Sequence, residues 1–203
     1  MECWGRGRLV AGAGLWAVRP AYVVVELLVA SVARGHDLCD DAVSRLGAVG
    51  CTASVCSPGH EVLNATFVVV GALLAVGTVL LAPQLGRLVT ALLVAAGLST
   101  ALTGLVPVDV APARHALAAT PLFVAQPLAL GLLAARVRRA HPRLAGLLAT
   151  TAVGAGAAGL GFVLLDGAAG TGLAERVALW PVLVALAAAG AVLVRGGPYR
   201  TIA

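Results

Sequence analysis

The chain contains no lysine, and only 11% of its 203 residues are charged. A soluble domain carries about 25% charged residues. With 60% hydrophobic residues and a mean hydropathy of +0.99, too little polar surface remains to cover a globule in water. This excludes a soluble globular protein and leaves a polytopic membrane protein. Aromatics are scarce as well, at 4%. No basic stripe interleaved with aromatics exists, so the net charge of +5 does not mark a nucleic-acid partner. All fourteen basic residues are arginine, and most flank apolar runs, where they set orientation. P-loop, HExxH and GxSxG sequences are absent too. No cofactor is expected.

What the chain does have is six apolar runs, each near the ~20 residues that a spanning helix needs. They cover residues 15–33, 62–81, 88–106, 117–135, 144–165 and 173–194. Only the connection over residues 34–61 is long, and nothing reads as a separate soluble domain. The first run resembles a signal peptide, with Arg6 and Arg8 ahead of it and "ASVA" near its end. Arg19-Pro20 interrupts it, however, and it outlasts a signal core, so a retained helix is expected. Arg19 is then placed about one turn inside the membrane, where it can snorkel.

The expected fold is an all-α integral membrane bundle of six helices. Ten arginines fall on the side of the termini, against Arg34, Arg45, Arg114 and Arg176 on the other. The positive-inside rule puts both termini in the cytoplasm and residues 34–61 outside, in a multi-pass protein of the cell membrane.

This orientation sorts the acids. All but Glu2 and Glu26 fall on the outer side. Acids follow the positive-inside rule only weakly, so their segregation is a separate observation. Two readings fit: wet outer loops, or a polar pocket where the outer helix ends converge. The pocket reading names Asp41, Ser44, Asn64, Asp109, His115, Glu175 and Arg176. His60 and Asn64 are four apart and share a helix face. In "CSPGHEVLNATF", Ser57 is placed as N-cap and Pro58 as first helical residue. Pro112 can start the next outer helix, with His115 in its first turn. Glu26 lies near the middle of the first run, an intramembrane carboxyl that is costly without a partner.

"CTASVCSPGH" spaces Cys51, Cys56 and His60 as C-x4-C-x3-H, with Cys39 upstream. Outside the cell thiols oxidise, so a disulfide among Cys39, Cys51 and Cys56 is expected, involving Cys51 or Cys56. The alternative is a closed metal site made of these three and His60. No other metal site is expected.

Four segments in order carry a family resemblance: "DDAVSRLG" (residues 40–47), "SPGHEVLNATFVVVGAL" (57–73), "GLVPVDVAPARHAL" (104–117) and "GTGLAERVALW" (170–180). They resemble the prokaryotic membrane proteins grouped as domain of unknown function 998. The resemblance implies a membrane protein of about six helices and no agreed activity. It singles out Asp41, Ser44, Gly47, Ser57, Pro58, Asn64, Pro107, Asp109, His115, Glu175 and Arg176. Glu26 and the outer cysteines are particular to this chain.

The leading functional expectation is binding of a lipid, a small amphiphile or a membrane partner in the outer pocket. Partner chains include a second copy of this one. The alternative is an intramembrane enzyme acting on a lipid or isoprenoid, so enzymatic status stays open. There His115 or Glu175 is the general acid or base, and Asp109 orients the imidazole. Small-solute transport comes third.

Overall fold

The computed structural model describes residues 2–165 and 167–196, so Asp166 and Arg200 lie outside the described residues. The fold is all-α. The helices are α1 (Glu2–Ala17), α2 (Ala21–Val32), α3 (His60–Leu85), α4 (Arg87–Leu105), α5 (Pro112–Val137), α6 (Pro142–Leu165) and α7 (Thr171–Gly196). One 3-10 turn, Val43–Gly47, lies in the long connection. Six stretches are long and apolar enough to cross a membrane, marking a multi-pass membrane protein. Large apolar side chains also point outward, among them Leu117, Val153 and Leu164, a surface suited to lipid and not to water.

Each long helix packs on its neighbours in the chain, and α1 closes the ring between α3 and α7. One apolar core, around Trp16, Leu74, Leu93, Leu130 and Leu186, fills the middle and one end of the ring. A second, around Tyr22, Val43, Leu46, Leu63 and Phe67, sits under the long connection at the other end, called the loop end below. Glycines let α3 and α4 touch backbone to backbone. A Cβ on Gly71 would stand 2.5 Å from Gly97 O, and one on Gly97 would stand 2.7 Å from Gly71 O.

The first span differs from the sequence expectation. It runs over Gly5–Val32, beginning ten residues earlier, and it is broken between α1 and α2. Pro20 has no N–H to give and crowds the preceding turn, which tightens. Arg19 N–H reaches Trp16 O at 3.4 Å, and Tyr22 N–H reaches Arg19 O at 3.0 Å. Arg19 therefore sits mid-span at 1% exposure and does not snorkel to the surface. Glu26 correspondingly lies in the loop-end half, six residues before the end of α2.

Proline also shapes α5. Where Pro121 disturbs its hydrogen-bond ladder, Ser99 of α4 inserts. Its hydroxyl donates to Ala118 O and accepts Leu122 N–H at 3.1 Å. Pro112 opens α5, as its missing N–H favours. Ser57 is not a cap: Gly59 precedes α3, and the Ser57 hydroxyl donates to Leu46 O at 2.6 Å.

Candidate functional site

Residues 34–61 fold back across the loop end, and short polar side chains hold them there. Asp37 turns the chain by accepting the N–H groups of Cys39 at 2.7 Å and Asp40 at 3.1 Å. These bonds hold its carboxyl below the usual range. Arg34 and Cys56 form an antiparallel bridge, and Cys51 and Cys56 stand at disulfide distance, with Cα atoms 4.4 Å apart. Cys39 is an exposed free thiol.

Latches then join this connection to four places in the bundle. Asn64 of α3 donates to Gly47 O at 2.9 Å. Asp109, between α4 and α5, accepts the N–H of Gly50 at 2.7 Å and of Val49 at 3.1 Å. Desolvation opposes the Asp109 charge, but these N–H groups outweigh it and hold the pKa below the ordinary value. Asp40 accepts Gly170 N–H at 2.8 Å, and Leu173 N–H reaches Cys39 O at 2.7 Å. Glu175 of α7, 5% exposed, accepts Val43 N–H at 2.6 Å.

Beneath these latches lies a buried charge network. Arg176 Nε donates to Glu26 Oε1 at 2.8 Å, and Trp180 Nε1 donates to Glu26 Oε2 at 2.9 Å. The other arm of the guanidinium, Nη1, donates to the carbonyls of Leu38 (2.5 Å), Asp41 (3.0 Å) and Gly172 (3.1 Å). Arg176 Nη2 stands 3.2 Å from His36 Nε2. Arg176 thus ties α7 to α2 and to the connection at once. Asp41 contributes its carbonyl here, and its carboxylate pairs with Arg45.

A guanidinium can only donate, so His36 Nε2 accepts and the ring is neutral. Burial first, and Arg176 next, push the His36 pKa below its ordinary 6.5, against the pull of Asp41 at 4.0 Å. A base with a depressed folded pKa is protonated more readily when unfolded. Stability is therefore full above about pH 6.5 and falls as pH drops toward the folded value. Hydrogen exchange over residues 34–48, corrected for intrinsic rates, should accelerate between about pH 7.5 and about pH 5.5. His36→Gln should remove most of that difference; equal acceleration in the variant would contradict this role.

The concave feature of this end is a cavity of about 750 Å³ bounded by α5, α6 and α7. Its wall is apolar, with Ala119, Phe123, Leu160, Phe162 and Val163. Its mouth is polar, with Asp40, Ser44, Arg45, His115, Thr171 and Glu175. Phe123 and Phe162 stack, centroids 5.3 Å apart. His115 is 9% exposed, and its Nδ1 lies 2.6 Å from Val106 O at the end of α4. A carbonyl only accepts, so Nδ1 carries the proton and Nε2 is the second site of the ring.

Of the seven pocket residues read from the sequence, Ser44, His115 and Glu175 line this cavity. Asp41, Asn64, Asp109 and Arg176 do different work, tying down the connection that lies beside the mouth. In particular, Asp109 holds Val49 and Gly50, and the imidazole of His115 is fixed by the Val106 carbonyl. Cys39, Cys51, Cys56 and His60 do not assemble as a metal site. Among the described residues no group of three or more His, Cys, Asp or Glu side chains is placed to share an ion. His60 Nδ1 instead turns to Ser57 O at 2.9 Å. The sequence reading missed Arg45 at the mouth and the Phe123–Phe162 wall. Helical spacing offered one clue to the wall, since α5 and α6 are adjacent antiparallel helices.

The family described as "Protein of unknown function (DUF998)" matches residues 10–192. No curated protein and no solved structure matches the chain.

Proposed function

The chain belongs to the DUF998 family, and we propose from its geometry that it binds a lipid or small amphiphile in the cavity between α5, α6 and α7. The observation that carries this reading is the division of that cavity into an apolar wall and a polar mouth. Its volume of about 750 Å³ falls within the range of small-molecule sites. An acyl or isoprenoid chain would lie against Phe123, Leu160 and Phe162. A head group would meet Ser44, Arg45 and Glu175, where both charge signs suit a zwitterion or a hydroxylated head. The latched connection keeps this mouth in shape. In this reading the loop end faces out of the cell and both termini face the cytoplasm, following the arginine asymmetry.

Ala119→Phe places a ring inside the cavity without adding polarity. Lipid extracts of the purified variant should contain several-fold less of the amphiphile that accompanies the wild-type protein. Leu98→Phe, on an exposed face of α4, should leave it unchanged. Mass spectrometry of the extracts decides. Equal profiles in all three proteins would sink the reading.

One observation favours acid/base catalysis as a second reading. His115 is held by its Nδ1 proton at the cavity lining, which leaves Nε2 to accept or deliver a proton. Turnover of a cavity-bound lipid, lost in His115→Gln while the lipid still binds, would establish it.

A further inference from the structure

Below the large cavity, at the break in the first span, lies a second chamber of about 30 Å³. Phe67, Leu122 and Leu179 line both, so they form a thin apolar partition between them. The chamber is otherwise marked by donors. Arg19 is 1% exposed, and its Nε donates to Val70 O at 3.3 Å. Its Nη1 has no hydrogen-bond partner among the described residues. The hydroxyl of Tyr22, 4% exposed, has none either. Gln126, 5% exposed, reaches the same chamber from α5.

No carboxylate among the described residues lies within 4.0 Å of Arg19. Glu26 is committed to Arg176 and Trp180, and Glu175 to Val43 N–H. Val70 is ten residues into α3, so the chamber lies about 15 Å below the loop end at 1.5 Å per residue. An arginine keeps its charge in proteins, and a buried charge without a partner is expensive. A guanidinium, a phenol and an amide can all donate to one acceptor. The chamber holds roughly one or two water-sized bodies. That is too small for a phosphate ester, a sulfate or a lipid head group, and it suits a monatomic ion.

We propose that this chamber is a binding site for a small monovalent anion of the halide class, reached from the large cavity through the Phe67–Leu122–Leu179 partition. The ion would be the counter-charge of Arg19. This site is independent of what occupies the large cavity.

The full-length protein in detergent is the material for the test. Its unfolding temperature is followed as sodium gluconate is replaced by sodium chloride or bromide at constant ionic strength. The expected result is a saturable rise with halide, with no such dependence in Arg19→Gln. Tyr22→Phe removes one donor and keeps the charge and the ring, so it decides the matter should Arg19→Gln fail to fold. It should raise the half-saturating halide concentration about tenfold, as expected for a lost bond to a charged species. Crystals grown with bromide should show an anomalous peak beside the Arg19 guanidinium. An unfolding temperature indifferent to halide in the wild type overturns the proposal. So does a half-saturating concentration unchanged in Tyr22→Phe, or bromide crystals with no peak at Arg19.

Discussion

Arg176→Met should destabilise the protein by about 3–5 kcal/mol, the range seen when one partner of a buried ion pair is removed. Arg176 is 3% exposed, and the substitution would leave Glu26, at 0%, with Trp180 as its one hydrogen-bond donor among the described residues. It would also strip a donor from the carbonyls of Leu38 and Asp41. Arg176→Lys should rescue little, because one ammonium cannot serve Glu26, three carbonyls and His36 in their separate directions. Glu26→Leu combined with Arg176→Met should cost less than the sum of the two single changes, since no uncompensated charge remains. Reversible unfolding in detergent measures all four proteins. Protease sensitivity over residues 34–41 should rise with Arg176→Met. A loss below about 0.5 kcal/mol would show that the network is solvated and not structural.

Gly71→Val should have an effect of similar size through sterics alone. A Cβ at Gly71 would stand 2.5 Å from both Gly97 O and Ala101 N. Both atoms are helix backbone and cannot swing away. The helices would have to separate, losing contact along the whole α3–α4 seam. Overpacking of this kind costs about 1–3 kcal/mol, and more where backbone must move. A branched side chain here belongs at the upper end. Gly154→Val in α6 is the control, since a Cβ there meets nothing within 4 Å. The yield of folded monomer on size exclusion, with the unfolding midpoint, should fall for Gly71→Val and stay near wild type for Gly154→Val. Equal behaviour of the two would contradict the close crossing.

The six spans were legible because apolar length is a local property of sequence, and no tertiary contact is needed to read it. The start of the first span was not. "WGRGRLVAGAG" dilutes its hydropathy with two arginines and several glycines, so residues 5–14 read as a flank. Arg19 then looked terminal, when it is central. The Cys51–Cys56 pairing was partly legible for a similar reason, their closeness in sequence. The acids were located correctly at one end of the bundle, but their partners had no signature. Asp109 and Glu175 bind backbone N–H groups 59 to 132 residues away in sequence. Every non-proline residue offers such a group, so no pattern announces which one will be used. Ser57 shows the converse. Its local S-P-G pattern favours a cap, and the Leu46 carbonyl, brought near by the fold, takes the hydroxyl instead. Polarity at a helix end thus marked where the action lies without separating the residues that latch the connection from those that line the cavity.

The most direct test of the account is a structure of the protein in nanodiscs made from its own membrane lipids, resolved well enough to distinguish bound from annular density. The account predicts an elongated density between α5, α6 and α7, its narrow part along Phe123 and Phe162 and its head beside Ser44, Arg45 and Glu175. Side chains of α5 and α6 closed over the cavity, with lipid density confined to the outside of the ring, would contradict it.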